Sequence, residues 1–172
     1  YGKVDHDRVA FLVALAVLPM VGRARWGDLT ADEASGWALR SVQIAVVFTY
    51  LFAAFAKLRF GGIAWLNGAT LMRSVLRRGT FLADPLRDHP GVLVAAQYGI
   101  VLFELASPLL LIAGRIGLIF LGVALAFHAV TYATITIIFL PHVICLSVFL
   151  PLERLKLPAL RLQPEPEPRP MG

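Results

Sequence analysis

Four titratable side chains lie inside apolar runs of this sequence, where charge is expensive. They are Lys57, Glu104, His128 and His142. At the centre of a membrane helix an ionisable group costs at least about 2.5–3.5 kcal/mol on insertion scales, so each is a candidate functional residue. An amine withdrawn from water is more readily neutral and can then take a proton from a ligand. The chemistry that these residue types indicate is proton transfer.

His6 joins Lys57 through its place in the sequence. His6 immediately precedes the first apolar run and Lys57 closes the second, so two antiparallel neighbouring helices would place both at one membrane face. There a neutral imidazole could accept a hydrogen bond from the lysine, and partial burial would favour the lysine as a base. The alternatives are structural: Lys57 could extend to the headgroups, and His6, beside Asp5, Asp7 and Arg8, could be a solvated interfacial histidine.

Glu104 and His128 have functional and structural interpretations. Glu104 is the only charged residue of its apolar run, so it must be neutral or paired, through a structural hydrogen bond to another helix or in a functional role. His128 could line a site, or with Thr131 and Tyr132 one turn further on it could clamp two helices together. His142, which follows Pro141, is interpreted as a packing or helix-break contact.

The sequence does not predict a metal site. No two of the candidate ligands His6, Glu104, His128 and His142 are spaced i, i+3 or i, i+4, and the single cysteine, Cys145, adds no chelate. Cys145 itself lies in an apolar run and is interpreted as a small buried residue.

The composition makes a lipid bilayer the expected solvent. Of the 172 residues, 58% are hydrophobic and 16% are charged, whereas soluble domains average about 45–50% apolar and about 25% charged. A soluble globular domain is therefore disfavoured, and disorder is excluded for most of the chain. The net charge of +5 comes from basic residues that separate the apolar runs, which favours anionic headgroups over nucleic acid as partners.

The apolar runs predict about four or five membrane-spanning helices. The first three are 9–22, which is short, 39–58 and 91–113. The run 116–152 contains no Asp, Glu, Lys or Arg and is too long for one span, so we expect a break near 134–141, where β-branched residues and a proline weaken the helix. Long runs without alternation favour helices over a barrel, so the expected fold class is an all-α polytopic membrane bundle.

The segment 57–90 is too polar to span a membrane. Its apolar residues recur at helical spacing against arginines, which predicts an amphipathic helix on the membrane surface with Trp65 as a headgroup anchor. The apolar set is Leu66, Leu71, Val75 and Leu76, and the basic set is Arg73, Arg77 and Arg78. The expected organisation is a transmembrane domain over 1–152 and a proline-rich solvated tail over 153–172. Because residue 1 is not methionine, we expect a fragment of a longer protein that could have upstream spans.

The order of several short motifs resembles a known family. They are Asp5-His6, Trp37-Ala38-Leu39-Arg40 with Gln43, Tyr50 seven residues before Lys57-Leu58, Trp65, Gly68, Leu102-Phe103-Glu104-Leu105, Arg115-Ile116-Gly117 and Phe127-His128. Over residues 4–152 the chain resembles the transmembrane domain of the vitamin K-dependent γ-glutamyl carboxylase-like (HTTM) family.

This resemblance implies an integral membrane protein that acts on a reduced quinone-type lipid of the vitamin K class. Lys57 matches the lysine that serves the family's carboxylase as the base on the quinol, and His6 matches the histidine that assists it. Asp5 stands where the carboxylase has an asparagine, and Glu104 and His128 would line or support the cavity.

The chain departs from the family's carboxylases in two respects. Ala56 precedes Lys57 where the carboxylase has a pair of lysines, and the predicted spans are followed by the proline-rich segment rather than a large non-membrane domain. Carboxylation of protein glutamate is therefore not expected, and the resemblance leaves open whether the chain is an enzyme.

The alternative function is that of a non-catalytic accessory subunit of a larger membrane complex. Small residues in the predicted spans would allow a helix of another subunit to approach closely. The same residues would serve packing within the chain equally well. They are Ala10, Ala14, Ala16, Ala53, Ala54, Ala56, Gly117 and Gly122. The expected partners are membrane lipids and other membrane subunits, and the expected location is a bacterial plasma membrane. Its orientation stays open, because five spans would divide Lys and Arg almost equally between the two faces.

Overall fold

The structure is a computed structural model that describes residues 6–22 and 32–151. Within these ranges the chain forms helices and the loops between them, and no strand. The α-helices are α1 (Val9–Val17), α2 (Glu33–Gly61), α3 (Ala69–Arg78), α4 (Pro90–Leu105), α5 (Arg115–Ile135) and α6 (Leu140–Cys145). Turns of 3-10 helix cover His6–Arg8, Leu18–Met20, Ile63–Leu66, Asp84–Asp88, Ser107–Leu111 and Leu146–Phe149. The all-α fold class is confirmed for these residues.

Specific residues fix both ends of α2. The carboxylate of Asp32 accepts two hydrogen bonds from Ser35, one from its side-chain hydroxyl at 2.7 Å and one from the backbone N–H of Ser35 at 2.9 Å. These two bonds hold the pKa of Asp32 below its usual value, and they satisfy a backbone donor that a helix start leaves unpaired. At the other end Gly62 has φ 60°, a conformation that glycine adopts without steric cost, so the helix ends at Gly61.

The predicted break in the long apolar run is confirmed. α5 ends at Ile135, because the next residue, Thr136, has a φ of 54° in the left-handed region. α6 carries Pro141 in its first turn. The loop after α3 is fastened to the end of α5, since the backbone N–H of Thr80 donates to the carbonyl of Thr134 at 2.9 Å. The turn between α5 and α6 therefore has a fixed place against α3.

The predicted amphipathic helix forms as α3. Val75 is buried, and it packs in one cluster with Leu93 of α4, Ile135 of α5 and Ala83. The arginines on the opposite face are exposed; they are Arg73, Arg77 and Arg78. α3 therefore covers the ends of α4 and α5 with its apolar face and presents its charges outward.

Two of the described helices, α2 and α5, are long and apolar enough to cross a membrane. The other apolar helices, at Val9–Met20, Pro90–Leu105 and Leu140–Phe149, are shorter. Pro19 and Pro108 lie where α1 and α4 give way to 3-10 geometry, because proline lacks the N–H that continues an α-helix. The described chain therefore contains fewer full-length apolar helices than the about four or five spans predicted from the sequence.

Several of the fully buried residues are small, and many large apolar side chains lie outside. Ala10 of α1, Val46 of α2 and Ala124 of α5 are fully buried in the main core cluster. In contrast, Phe52 of α2 is 61% exposed and Ile119 of α5 is 68% exposed. Small residues let helix backbones approach closely, as they do in membrane bundles.

Candidate functional site

A cavity of about 280 Å³ lies between α2, α4, α5 and α6. Its walls are mostly apolar, and its volume is near the lower end of the range for small-molecule sites, about 300–1,000 Å³. Several polar side chains nevertheless line it. They are Asp7, Thr49, Tyr50, Lys57, Ser74, Glu104, His128, Thr131 and His142. An apolar cavity with a few convergent polar groups is the usual form of a ligand site.

An ion pair between α2 and α4 lies at one part of the cavity wall. Lys57 Nζ lies 2.5 Å from Glu104 Oε1, with the Lys57 side chain 23% exposed and the Glu104 side chain 6% exposed. Lys57 Nζ also donates to the carbonyl of Ala53 at 3.4 Å and lies 5.5 Å from the centre of the Trp65 ring. The second oxygen of the carboxylate, Oε2, is buried without a hydrogen-bond partner in the described part of the chain.

A tyrosine and two histidines form a second polar group in the same cavity. The Tyr50 hydroxyl lies 2.8 Å from His128 Nε2, and both residues are buried. The ring of His142 stands perpendicular to that of Tyr50 at 4.6 Å between centroids, and the two imidazoles are 5.6 Å apart. His128 Nδ1 is buried and has no hydrogen-bond partner among residues 6–22 and 32–151.

Helix periodicity explains how α2 supplies both groups. Tyr50 and Lys57 are seven residues apart, which is two helical turns, so both side chains leave α2 on the same face. Ala53 lies between them on that face and lines the cavity without filling it. α4 supplies Glu104, and α5 supplies His128.

A second, larger cavity adjoins the first. Its volume is about 470 Å³ and its walls are almost entirely apolar. The two cavities share wall residues, namely Leu71, Ile100, Phe127, Thr131 and Ile135. The first cavity, called the polar cavity below because of its polar side chains, therefore shares a wall with an almost entirely apolar cavity between α3, α4 and α5.

The structure brings together three of the residues predicted from the sequence. Lys57, Glu104 and His128 all line the polar cavity, where Lys57 is paired with Glu104. His6 lies in the turn His6–Arg8, but its side chain is outside the described residues, so its pairing with Lys57 stays a prediction. Asp5 also lies outside the described residues.

Sequence reasoning missed Tyr50, and it gave His142, one of its four candidate residues, a structural interpretation. Tyr50 was noted only as part of a family motif, although its position two turns before Lys57 is a signal that both face the same side. His142 was interpreted as a packing or helix-break contact, and it is almost fully buried at 2% exposure beside Tyr50 and His128. No local pattern could place His142 here, because the turn between α5 and α6 decides its position.

The arrangement suits proton transfer more than metal chemistry. An amine, a carboxylate, a phenol and imidazoles meet in the polar cavity, and all four kinds of group can exchange protons. Over the described residues, no group of three or more His, Cys, Asp or Glu side chains is arranged to hold a metal ion.

Comparisons with protein-family models, with curated proteins and with solved structures found no match to this chain.

Proposed function

We propose that this chain is an integral membrane protein of the carboxylase-like (HTTM) type, which binds a reduced quinone-type lipid and takes a proton from it through Lys57. The observation that carries the proposal is the Lys57–Glu104 ion pair in the mostly apolar wall of the polar cavity. Three arguments support it, from the outer surface, from the ion pair and from the shape of the cavities.

The outer surface supports a membrane location. In the most apolar parts of α2 and α5, only 33% and 22% of the residues are buried, whereas the core helix of a soluble protein is mostly buried. Their exposed side chains are large and apolar, as Phe48, Phe52 and Ile119 illustrate. Soluble monomers rarely expose apolar patches of more than a few hundred Å², whereas lipid tails solvate such a surface well.

The ion pair supports Lys57 as the base. Removing two opposite charges from water is costly, so in an apolar cavity the charged pair competes with a neutral pair in which the proton has moved to the carboxylate. In that neutral form Lys57 is an amine that can accept a proton from a ligand hydroxyl. Glu104 thus holds the amine at the cavity wall and can store its proton.

The two adjoining cavities support a lipid ligand. The polar cavity would hold a ring that carries hydroxyl groups, and the larger apolar cavity would hold a hydrocarbon tail. A reduced quinone with a prenyl or alkyl tail has these two parts. The likeness of Asp5-His6, Tyr50 and Lys57-Leu58 to the family's motifs supports the same class of ligand.

The test is quinol-dependent oxygen consumption and epoxide formation by the protein in nanodiscs, with a naphthohydroquinone supplied. Wild type is compared with Lys57→Ala and with Lys57→Arg. Arginine keeps a positive charge for Glu104 but does not lose its proton in proteins, so it preserves the pair and removes the base. We expect turnover in the wild type and its loss in both variants, with the folded state retained in Lys57→Arg. Turnover that survives in Lys57→Arg would contradict the proposal.

The second candidate is the accessory subunit, which one observation favours. Ala16, Ala56 and Gly122 are exposed on the outside of α1, α2 and α5, where another helix could approach closely. If neither the wild type nor the variants turn over and all are folded, this function is favoured, and the proteins that co-purify with the chain become the next question.

A further inference from the structure

We propose that Trp65 shields the amine of Lys57 from water and that Gln97 holds Trp65 in this place. Both are positioning residues, because they act through Lys57. This inference rests on the proposed function in taking Lys57 as the reacting group, and it adds the two residues that control access to that group.

The first observation is the contact of Trp65 with Lys57. Lys57 Nζ lies 5.5 Å from the centre of the Trp65 ring, and both residues line the polar cavity. The face of an indole ring attracts an ammonium group, and more strongly where water is excluded. The amine thus has the ring as a neighbour in addition to Glu104 Oε1 and the carbonyl of Ala53.

The second observation is a buried hydrogen bond that ties Trp65 to α4. Gln97 is fully buried, and its Nε2 donates to the backbone carbonyl of Trp65 at 2.5 Å. Its Oε1 is buried without a hydrogen-bond partner among the described residues. A buried amide with one end unsatisfied is costly, so an apolar side chain would suit this position better if it served packing alone. The bond to Trp65 gives the glutamine a reason to be there.

The place of Gln97 on α4 connects this bond with the ion pair. Gln97 and Glu104 are seven residues apart, which is two helical turns, so both side chains leave α4 on the same face. Glu104 contacts the amine of Lys57, and Gln97 contacts the turn that carries Trp65. One face of α4 therefore holds both the amine and the ring beside it.

Close packing against the end of α2 fixes Trp65 from the other side. A Cβ atom on Gly61 would lie 2.8 Å from the Cβ atom of Trp65 and 3.0 Å from its Cδ1 atom. Gly61 lies one turn after Lys57 on α2, so this packing keeps the ring next to the amine. Glycine at position 61 leaves the room that Trp65 occupies.

The test measures how fast Lys57 reacts with a water-soluble acylating reagent, sulfo-N-hydroxysuccinimide acetate, in the full chain in nanodiscs. Peptide mass spectrometry follows the modification at Lys57. A shielded, ion-paired amine reacts slowly, because acylation needs a neutral amine that the reagent can reach. We expect Trp65→Ala to raise the rate about tenfold, and Trp65→Phe, which keeps an aromatic face, to raise it less.

Two variants displace Trp65 without altering its side chain. Gln97→Leu removes the hydrogen bond to its carbonyl, and Gly61→Ala places a methyl group where Trp65 packs. We expect each to raise the rate at Lys57 about threefold, as the loss of one hydrogen bond or contact allows. If Gln97→Leu does not fold, Gly61→Ala supplies the same test.

Each displacing variant has a matched control that a purely structural effect would move as well. Gln43 Nε2 also donates to a backbone carbonyl, that of Val148 at 3.0 Å, and Gln43 lines a different cavity. A Cβ atom on Gly36, also on α2, meets nothing within 4 Å. We therefore expect Gln43→Leu and Gly36→Ala to keep the wild-type rate at Lys57.

The outcomes separate this inference from the proposed function. Faster labelling in Trp65→Ala and in the displacing variants, with wild-type rates in the controls, supports it. A wild-type rate in Trp65→Ala overturns the shield. A wild-type rate in folded Gln97→Leu, or an equal rise in Gln43→Leu, overturns the role of Gln97. The labelling needs no quinol, so a protein that shows this pattern without quinol turnover would overturn the proposed function and leave the shield intact.

Discussion

At the scale of single residues, the unusual feature is how polar groups are paired inside an apolar bundle. Lys57 meets Glu104, and Tyr50 meets His128, in each case across two helices. Hydrophobic residues of similar volume often stabilise a core as well as a buried ion pair does, so stability alone gives little reason for such groups. The proposed role in binding or proton transfer would give them a reason to lie at the cavity wall.

The Tyr50–His128 hydrogen bond leads to a prediction about stability. Tyr50→Phe removes the hydroxyl and leaves His128 Nε2 without this partner, so we expect the free energy of unfolding to fall by about 1–3 kcal/mol. The matched control is Tyr98→Phe on α4, because Tyr98 is 48% exposed and its change should stay within about 0.5 kcal/mol. Equilibrium unfolding in mixed micelles measures both, and equal effects at the two tyrosines would show that the buried bond adds nothing.

At the scale of elements, a close backbone approach fixes the start of α5. α5 begins after Gly114, and its first turn packs on the backbone of the turn that follows α4. A Cβ atom on Gly117 would collide with the carbonyl oxygen of Ile112. Glycine at this position therefore lets the first turn of α5 lie against that turn.

Two glycines on α5 make a matched test of this packing. We expect Gly117→Ala to lower the free energy of unfolding by about 1–3 kcal/mol, since the backbone must shift to admit the methyl group. A Cβ atom on Gly122 meets nothing within 4 Å, so Gly122→Ala should be neutral or stabilising by up to about 1 kcal/mol through helix propensity. The same unfolding assay compares them. A Gly117→Ala protein as stable as the wild type would mean that α5 is not held at this contact.

At the scale of the whole molecule, the notable feature is the number of large apolar side chains that are exposed on the outside of the helices. Alanine and valine dominate the interior of α2, while phenylalanine and leucine cover its outside. The charged face of α3 is exposed as well, so its arginines are available to anionic headgroups. A bilayer with α3 at its surface satisfies both distributions.

Spin labels can test this arrangement. Labels introduced by Phe52→Cys and Ile119→Cys in a Cys145→Ala background should be relaxed by oxygen, which concentrates in lipid, and hardly by a water-soluble nickel chelate. A label introduced by Arg77→Cys on α3 should respond more to the chelate, because the exposed face of α3 would lie at the water interface. If the labels on α2 and α5 respond mainly to the chelate, the two helices do not face lipid.

The sequence by itself determined that the described chain is helical and where its long apolar run breaks, but not how many helices are long enough to cross a membrane. Uninterrupted apolar runs require helices in lipid, and the arginine pattern of 66–78 indicates an amphipathic helix. The proline of 134–141 marks the break between two helices. The sequence reveals these three features because each depends on local periodicity or backbone chemistry. Lys57, Glu104 and His128 were identified for the same kind of reason, as titratable groups in apolar runs.

Only the tertiary structure decided which polar side chains contact one another. The Lys57–Glu104 contact joins residues 47 positions apart, and the Tyr50–His128 contact joins residues 78 positions apart. These pairings depend on how α2, α4 and α5 pack together, and fully buried alanines such as Ala54 of α2 and Ala124 of α5 take up little space in that packing. Periodicity shows which face of a helix a side chain occupies, but only packing selects the helix that it meets.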